Sequence, residues 1–327
     1  MEYVRCDLCD ENHAILLFFG RDRLHGLPGS FNVVRCRLCG LVYVNPRPTQ
    51  QEIKKYYPKQ YGAYRGASAK SPDVREMRKR LLKVRRFKSG GRILDVGCGD
   101  GSFLLAAKKE GWEVAGVEIN EAASDYARRL GLNVFTGELV DANLRSDHFD
   151  VITLWAVVEH LHNPVGTLKE LRRILKDDGL LVITTQNFDS LEAKIFSARW
   201  FHLDVPRHLY QFDPITLGKI LSRAGFQIVK MNTFPAGGVA GSLRYLMGGS
   251  KDRLPMDRRE SFLDKMRNKA LSLLFFMLSK CLALIFDLIR RLTRSDSEAI
   301  EVYAAKAEQD PRLNASMALR GVTRLVA

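Results

Sequence analysis

The stretch Gly91-Gly-Arg-Ile-Leu-Asp-Val-Gly-Cys-Gly-Asp-Gly101 decides the fold of this chain. Apolar residues at 93, 94 and 96 favour a buried strand, and glycines follow at every second position: Gly97, Gly99 and Gly101. A helical pattern begins at Ser102. Glycine tolerates positive φ and lets a ligand approach the backbone, while the helix start offers unpaired N–H groups. The stretch therefore predicts a strand, a ligand-binding turn and a helix, although a tight turn without a ligand would use the same residues.

A second predicted strand, residues 112–118, strengthens the ligand-binding interpretation. It ends on Glu118, 17 residues after Gly101. A carboxylate at this strand tip can accept hydrogen bonds from both ribose hydroxyls of a nucleoside. The alternative is a solvated strand end. The glycine spacing differs from Gly-x-Gly-x-x-Gly, so a dinucleotide is disfavoured.

Strand and helix patterns alternate along the middle of the chain. Strands are predicted at 92–96, 112–118, 132–135, 149–155, 180–185 and 226–231. Helices are predicted at 102–110 and 121–130, from Asn163-Pro164 to before Gly179, and from Asp213-Pro214 to Gly225. Such alternation is typical of an α/β fold with a parallel sheet and helices on both faces. Ligands bind beyond the carboxyl ends of these strands.

At these residues the chain resembles the class I S-adenosylmethionine-dependent methyltransferases. Leu94–Gly101 is similar to their first motif, Val117–Asn120 to their second, and residues 149–161 to their fourth strand and the segment after it. The resemblance covers roughly residues 75–235, with a last antiparallel strand at 298–306. It implies a Rossmann-like, seven-stranded sheet and S-adenosylmethionine as the cofactor. The cofactor-binding residues expected on this basis are Asp95, Gly97, Cys98, Gly99, Gly101, Glu118, Ile119, Glu138, Leu139 and Trp155.

Three histidines lie in the loops where an acceptor would bind. His160 follows Glu159, and the segment 200–210 contains His202 and His208 beside charged residues. Histidine suits deprotonation of a hydroxyl because its pKa lies near neutrality. We predict His208 as the base or an acceptor ligand, His160 and Asp204 as further catalytic residues, and Asp204 and Arg207 as shaping the site. Alternatively, His208 and Asp204 pair structurally, and His160 is a buried, hydrogen-bonded residue. His162 is expected at the surface.

Two Cys-x-x-Cys pairs lie near the N-terminus. Cys6, Cys9, Cys36 and Cys39 provide four thiolates, a ligand set typical of a structural zinc site. Iron or free thiols are the alternatives. Cys98 and Cys281 are expected to be packed thiols. The domains follow as a zinc ribbon (1–46), a linker or lid with a basic helix starting at Ser71-Pro72 (47–90), the methyltransferase domain (91–306) and a tail (307–327).

The chain has a net charge of +14, concentrated in two segments. Residues 65–92 carry a net charge of +9 and residues 244–294 a net charge of +7. Basic segments indicate an anionic partner or two solvated helical faces. The first residues contain no apolar signal-peptide core, which favours a cytoplasmic location.

An apolar segment, residues 270–289, is long enough to span a membrane. A polar stripe at helical spacing and the strand expected at 298–306 argue against a span. The stripe consists of Lys265, Lys269, Ser272, Ser279, Asp287 and Arg291. We expect a helical insertion over about 236–296 that either lies on the inner face of an anionic membrane, through about 265–294, or packs as a helical hairpin. A buried dimer or lid element is the alternative.

Methyl transfer to a small-molecule, saccharide or lipid-linked acceptor accounts best for these features, with O-methylation preferred. An RNA methyltransferase ranks second, because a zinc ribbon and basic charge also suit ribosomal RNA. A non-catalytic, cofactor-binding scaffold is the third reading. A homodimer is compatible with all three.

Overall fold

A computed structural model describes residues 1–58, 74–248, 262–293 and 295–307. Its strands are β1 (Ala14–Gly20), β2 (Phe31–Cys36), β3 (Val42–Val44), β4 (Arg92–Val96), β5 (Glu113–Glu118), β6 (Asn133–Thr136), β7 (Phe149–Trp155), β8 (Leu175–Gln186), β9 (Tyr210–Gln211), β10 (Phe226–Phe234) and β11 (Ala299–Lys306). Its α-helices are α1 (Val74–Val84), α2 (Ser102–Lys109), α3 (Glu121–Arg129), α4 (Pro164–Ile174), α5 (Leu191–Phe196), α6 (Pro214–Arg223), α7 (Val239–Leu246) and α8 (Phe262–Thr293). The expected start of α1 at Ser71-Pro72 and the tail from 308 lie outside the described residues.

Seven strands form one mostly parallel sheet in the order β10-β11-β8-β7-β4-β5-β6. The five neighbouring strands β8, β7, β4, β5 and β6 pair in parallel, whereas β11 runs antiparallel to both β8 and β10. The predicted α/β sheet and its antiparallel last strand are confirmed. Because β4, β5, β6, β7 and β8 run the same way, the residues that follow them gather at one edge of the sheet.

Helices cover both faces of this sheet because its central strands are apolar on both sides. Ile93 of β4 and Val151 of β7 pack on one face with residues of α1 and α2. Leu94 and Ile152 pack on the other with residues of α4 and α6. Strands buried on both faces read as continuous apolar runs, which is why they were recognisable.

Side-chain caps fix where the helices begin. The Asn163 side chain accepts a hydrogen bond from the Gly166 N–H at the start of α4, and Asp213 forms a capping box with Thr216 at the start of α6. Both predicted caps are present. The helix after Asn163 ends earlier than expected, because β8 begins at Leu175 and already contains Gly179.

The N-terminal ribbon is built into the larger fold by a shared sheet. Its order is β1-β2-β3-β9, and β9 comes from the segment 200–211. Val42 pairs with Gln211, and Tyr43 pairs with Tyr210. The sequence-based boundary at residue 46 does not anticipate this pairing, because a two-residue strand has no pattern of its own.

The insertion before β11 consists of α7 and α8. Residues 270–289 lie within the single continuous helix α8, so this segment does not itself form a hairpin. The expected polar stripe is partly wrong, because Ser279 is buried, and Arg290 beside the stripe is buried as well. Cys281 is exposed rather than packed. Within the described residues, no helix is long and apolar enough to cross a membrane.

Candidate active site

The glycine turn after β4 has a backbone that other residues would strain. Gly97, Gly99 and Gly101 have φ values of 70°, 54° and 76°. A Cβ at Gly97 would lie 2.6 Å from Val157, and one at Gly101 would lie 2.5 Å from Leu132. Glycine is therefore required by both conformation and space. The turn leads into the first N–H groups of α2, as predicted.

Glu118, at the end of β5, braces this turn. Its carboxylate accepts hydrogen bonds from the N–H groups of Gly99 and Asn120, both at 2.8 Å. The side chain is buried, and burial raises the pKa of Glu118. Each carboxylate oxygen has a second lone pair, so the group still has acceptor capacity for a ligand's hydroxyls.

Two residues of the first motif lie inside the fold rather than at its rim. Asp95 is buried and accepts a hydrogen bond from the Thr153 hydroxyl at 2.6 Å. Burial raises the pKa of Asp95 to about 7. The Cys98 thiol is also buried, below Gly116, and is a packed thiol as expected. The placement of both favours a supporting role in the turn.

The remaining predicted cofactor residues surround the carboxyl edge of the sheet. Ile119 is 56% exposed, which leaves an apolar side chain beside Glu118. Leu139 is buried, and Glu138 accepts a hydrogen bond from Gln50 of the N-terminal segment. Trp155 packs against Phe103, and its indole N–H has no partner among the described residues.

Glu159, which is buried, clusters beside the turn with His160 and His208, which are half-buried. Glu159 and His160 lie in a 3₁₀ turn that starts one residue after Val157, the residue in contact with Gly97. One ligand-type atom from each of the three side chains lies within 4.8 Å of the others. The two imidazole rings are edge to face with centroids 4.6 Å apart. The structure thus brings together the two histidines predicted as catalytic and adds Glu159.

Hydrogen bonds determine the tautomers of both histidines. His208 Nδ1 lies 2.8 Å from the His202 carbonyl, and His160 Nδ1 lies 3.0 Å from the Arg207 carbonyl. Because a carbonyl can only accept, both rings carry a proton on Nδ1 and have an unprotonated Nε2. The Nε2 of His208 lies 4.0 Å from Glu159 Oε1 and 3.9 Å from Asp204 Oδ2.

Burial sets the protonation of this cluster. Desolvation lowers the pKa values of His160 and His208 to about 3, so both imidazoles are neutral at physiological pH. It raises the pKa of Glu159 to about 7, and Glu159 Oε2 has no hydrogen-bond partner in the described part of the chain. Each Nε2 is therefore unprotonated, but a pKa of about 3 makes these imidazoles weak bases until a bound acceptor changes their surroundings.

Asp204 and Arg207 have a structural connection that the sequence did not reveal. Arg207 is fully buried and bonds Asp204 at 2.6 Å and Asp22 of the ribbon at 2.7 Å. It also donates to the Tyr56 carbonyl. The Asp204 carboxylate is therefore bonded to Arg207, while its Oδ2 lies 3.9 Å from His208 Nε2 and its backbone carbonyl accepts a hydrogen bond from the His208 N–H at 3.1 Å.

Tyr57 was also missed as a site residue. Its hydroxyl lies 2.9 Å from His160 Nδ1, although 103 residues separate the two. The sequence predicts only a linker or lid over residues 47–90, with no site role for Tyr57. His162, expected at the surface, is half-buried and bonds the Pro48 carbonyl at 3.0 Å.

The four ribbon cysteines converge on one point. Their sulfurs all lie within 4.8 Å of one another, with Cys6 and Cys39 3.4 Å apart and Cys9 and Cys36 3.5 Å apart. A hydrogen bond from the Cys6 thiol lowers the pKa of Cys39 to about 5. Four sulfurs that converge on one point are a ligand set that fits a tetrahedral metal ion bound by thiolates.

Sequence comparison assigns the family. A family model described as "Methyltransferase domain" matches residues 69–231, which include the glycine turn, Glu118 and the Glu159–His160–His208 cluster. The chain belongs to the class I S-adenosylmethionine-dependent methyltransferases. S-adenosylmethionine is accordingly its methyl donor.

Individual relatives of this methyltransferase are distant. It is 27% identical over 157 residues to the ubiquinone biosynthesis O-methyltransferase of Azoarcus sp. (strain BH72), an alignment covering 44% of this chain and 67% of that protein. It is 27% identical over 195 residues to the demethylmenaquinone methyltransferase of Staphylococcus saprophyticus, covering 51% of this chain and 84% of that protein.

A solved structure shares the fold. The phosphoethanolamine N-methyltransferase 2 of Haemonchus contortus, in complex with S-adenosyl-L-methionine, aligns with a TM-score of 0.50 at 15% identity. The alignment covers 82% of this chain and 62% of that one. At this identity the similarity concerns the fold alone.

Proposed function

We propose that this methyltransferase transfers the methyl group of S-adenosylmethionine to a hydroxyl of a small-molecule, saccharide or lipid-linked acceptor, with His208 as the general base. The observation that carries the proposal is the neutral imidazole of His208, whose Nδ1–H is held by the His202 carbonyl and whose Nε2 is available. O-methylation needs such a base, because a hydroxyl must lose its proton as the new bond forms.

The position of the cluster supports this role. Val157 contacts the glycine turn, and Glu159 and His160 follow within three residues. Residues at this edge of the sheet can hold an acceptor close to the cofactor. Bound S-adenosylmethionine supplies an electrophilic methyl group on a sulfonium. His208 Nε2 then takes the hydroxyl proton, and the adjacent carboxyl groups of Glu159 and Asp204 stabilise the imidazolium that forms.

The relatives are consistent with a small acceptor. Several are named ubiquinone biosynthesis O-methyltransferases, and their names describe methylation of an oxygen in a small molecule. At 27% identity these names suggest a class of acceptor rather than a specific one, so we extend only the class to this chain.

The basic residues around α1 give little support to RNA methylation. Arg85 pairs with Glu110 at 2.9 Å, and Lys83 pairs with Glu301 at 2.8 Å. Lys88 pairs with Asp178 at 2.7 Å. These cations are partly neutralised within the protein, whereas an RNA-binding surface needs cations that can pair with phosphates.

We also propose that the four ribbon cysteines hold a zinc ion. All four protein ligands would be used, which leaves no open position for catalysis. The role would be structural, with the ion fixing the hairpin that carries β1 and β2.

Transfer of labelled methyl from S-adenosylmethionine into a fractionated extract of the source cell tests the acceptor class. We expect label in a small-molecule, glycan or lipid fraction, in a form that behaves as a methyl ether. Label that RNase removes would overturn the proposal in favour of RNA. Cofactor binding without a labelled product in any fraction would favour a non-catalytic, cofactor-binding scaffold protein.

A further inference from the structure

Helix α8 is fixed in its rotation by specific contacts on one face. Phe286 is buried and stacks on Phe196 of α5 with ring centroids 5.9 Å apart. Arg290 is buried and donates hydrogen bonds to Glu192 of α5, which is fully buried, and to Asp287. Ser279 is buried on the same face. These contacts determine which side chains of α8 point away from the protein.

The opposite face of α8 is apolar and exposed. Residues 277, 281, 284, 288 and 292 recur every three to four positions, which places them on one stripe of the helix. Six large apolar side chains on and beside this stripe are between 50% and 76% exposed: Met277, Leu278, Leu284, Ile285, Leu288 and Leu292. We call this set the α8 apolar face. An ordinary surface helix has the reverse arrangement, with polar residues outside and apolar residues inside.

The charges around this face are basic. Lys280 and Arg291 are exposed and lie along one border of the stripe at helical spacing. Between residues 275 and 293, the described side chains include one acid, Asp287, and it is bonded to Arg290. The adjoining helix α7 exposes Arg244 and Leu246, and Met247 directly after it is exposed as well. The Arg244 guanidinium lies over the Phe275 ring of α8.

Charge distinguishes between the possible occupants of the α8 apolar face. A second copy of the chain, docked face to face, would bring Lys280 and Arg291 near the same cations with no free carboxylate on the stripe. An anionic lipid surface offers both an apolar layer for the leucines and phosphates for the cations. The part of α8 between Ser279 and Arg290 suits such an orientation, since one of its sides packs on the protein and the opposite side is exposed.

We propose that the α8 apolar face docks this methyltransferase onto the surface of an anionic phospholipid bilayer, with the helix lying in the interface rather than crossing the membrane. This inference rests on α8 and does not depend on the identity of the methyl acceptor. Helix α8 contacts α5, which follows the loop after β8.

Sedimentation of the full chain with vesicles tests the docking. One set of vesicles contains phosphatidylcholine and phosphatidylglycerol in equal parts, and the other contains phosphatidylcholine alone. We expect the protein to sediment with the first set and to be released by high salt. The double variant L284E/L288E should lower the bound fraction by roughly tenfold or more, because it places two charges in the buried layer.

The matched control is Ile215→Glu. Ile215 is 62% exposed on α6, where an acid in the first helical turn is tolerated. We expect this variant to sediment like the parent protein, and both variants to keep cofactor affinity.

Three outcomes would overturn the proposal. The first is that the full chain fails to sediment with anionic vesicles, and the second is that L284E/L288E sediments as well as the parent. The third is that the parent is a dimer that does not bind vesicles and L284E/L288E is a monomer. The last result would identify the face as an interface between copies.

Discussion

At the residue scale, Glu118 links the cofactor turn to the sheet. Its two oxygens hold the N–H groups of Gly99 and Asn120 while the strand end places it beside Ile119. We expect Glu118→Ala to weaken S-adenosylmethionine binding about tenfold or more, equivalent to about 1.4 kcal/mol. Calorimetric titration measures this. Glu121→Ala, which removes an exposed acid three residues later on α3, should bind normally. Unchanged affinity in Glu118→Ala would remove Glu118 from the site.

A second residue-scale prediction concerns pH. Burial raises the pKa of Glu159 to about 7, whereas an unfolded glutamate titrates near 4.3. The folded protein therefore holds this proton more tightly, and the stabilisation is complete below about pH 4 and lost as pH rises through about 7. His160 and His208 act in the opposite direction, because their lowered pKa values cost stability as pH falls below about 6.5.

The variant Glu159→Gln isolates the carboxyl contribution, since both histidines remain. We expect the variant to be more stable relative to the parent at pH 8 than at pH 4, with the difference in free energy of unfolding between variant and parent changing by about 3 kcal/mol. Chemical denaturation at the two pH values measures the difference. A difference that does not change with pH would show that Glu159 is not a buried, proton-binding carboxyl.

Individual residues differ in how well the sequence predicts them. The glycines of the turn and the caps Asn163 and Asp213 were predictable because local backbone geometry requires those residue types. Asp22 and Tyr57 were not, because their partners, Arg207 and His160, lie more than 100 residues away along the chain. A buried ion pair between distant segments leaves no local pattern.

At the scale of elements, the ribbon and the acceptor loop form one unit. β3 pairs with β9, and the buried Arg207 bonds both Asp22 and Asp204. Removal of one partner of a buried pair leaves an uncompensated charge, so we expect Asp22→Ala to lower the free energy of unfolding by about 3–5 kcal/mol. The exposed pair of Asp125 and Arg128 gives a control, and Asp125→Ala should cost less than about 1 kcal/mol.

A methyl-transfer assay shows whether Asp22→Ala affects only the loop that carries His208 or the whole fold. We expect cofactor affinity to persist while transfer to the acceptor falls, because Arg207 and Asp204 position the loop that carries His208. Equal stability of Asp22→Ala and the parent would contradict a role for Asp22 in the buried network.

The ribbon element depends on its four cysteines. We expect metal analysis to find one zinc ion per chain and Cys36→Ser to lose it, with a lower unfolding temperature, because metal affinity contributes directly to folding. Cys281→Ser, which changes an exposed thiol on α8, should retain the metal and the stability of the parent. The zinc proposal would be contradicted if the parent protein folds without zinc. Iron in place of zinc would show that the four cysteines form an iron site.

The sequence predicts helix α8 but not which of its faces packs on the protein. The apolar composition of residues 270–289 predicts a helix, but it does not tell which face packs. Ser279 was expected on the polar stripe but is buried, and Arg290 is buried because the Glu192 carboxylate on α5 provides it with a partner. Tertiary pairing therefore overrides the simple rule that charged residues face water.

At the scale of the whole molecule, the strand order explains why distant motifs meet. β4 lies between β5 and β7, so the glycine turn, Glu118 and the Glu159–His160 turn lie at one edge of the sheet. β9 and the segment 200–209 close the acceptor side, with Leu209 N–H bonded to the Glu159 carbonyl at 2.8 Å. The sheet was predictable from alternating patterns, whereas the closure depends on the N-terminal ribbon.

The central claim is that His208 accepts the proton of the methyl acceptor, and single-turnover transfer of labelled methyl tests it most directly. The variant His208→Asn keeps a donor near the His202 carbonyl and removes Nε2. With acceptor from the labelled fraction and saturating S-adenosylmethionine, we predict that the rate falls by about 10²–10⁴ while cofactor affinity stays unchanged. Transfer by His208→Asn at the rate of the parent protein would contradict the account.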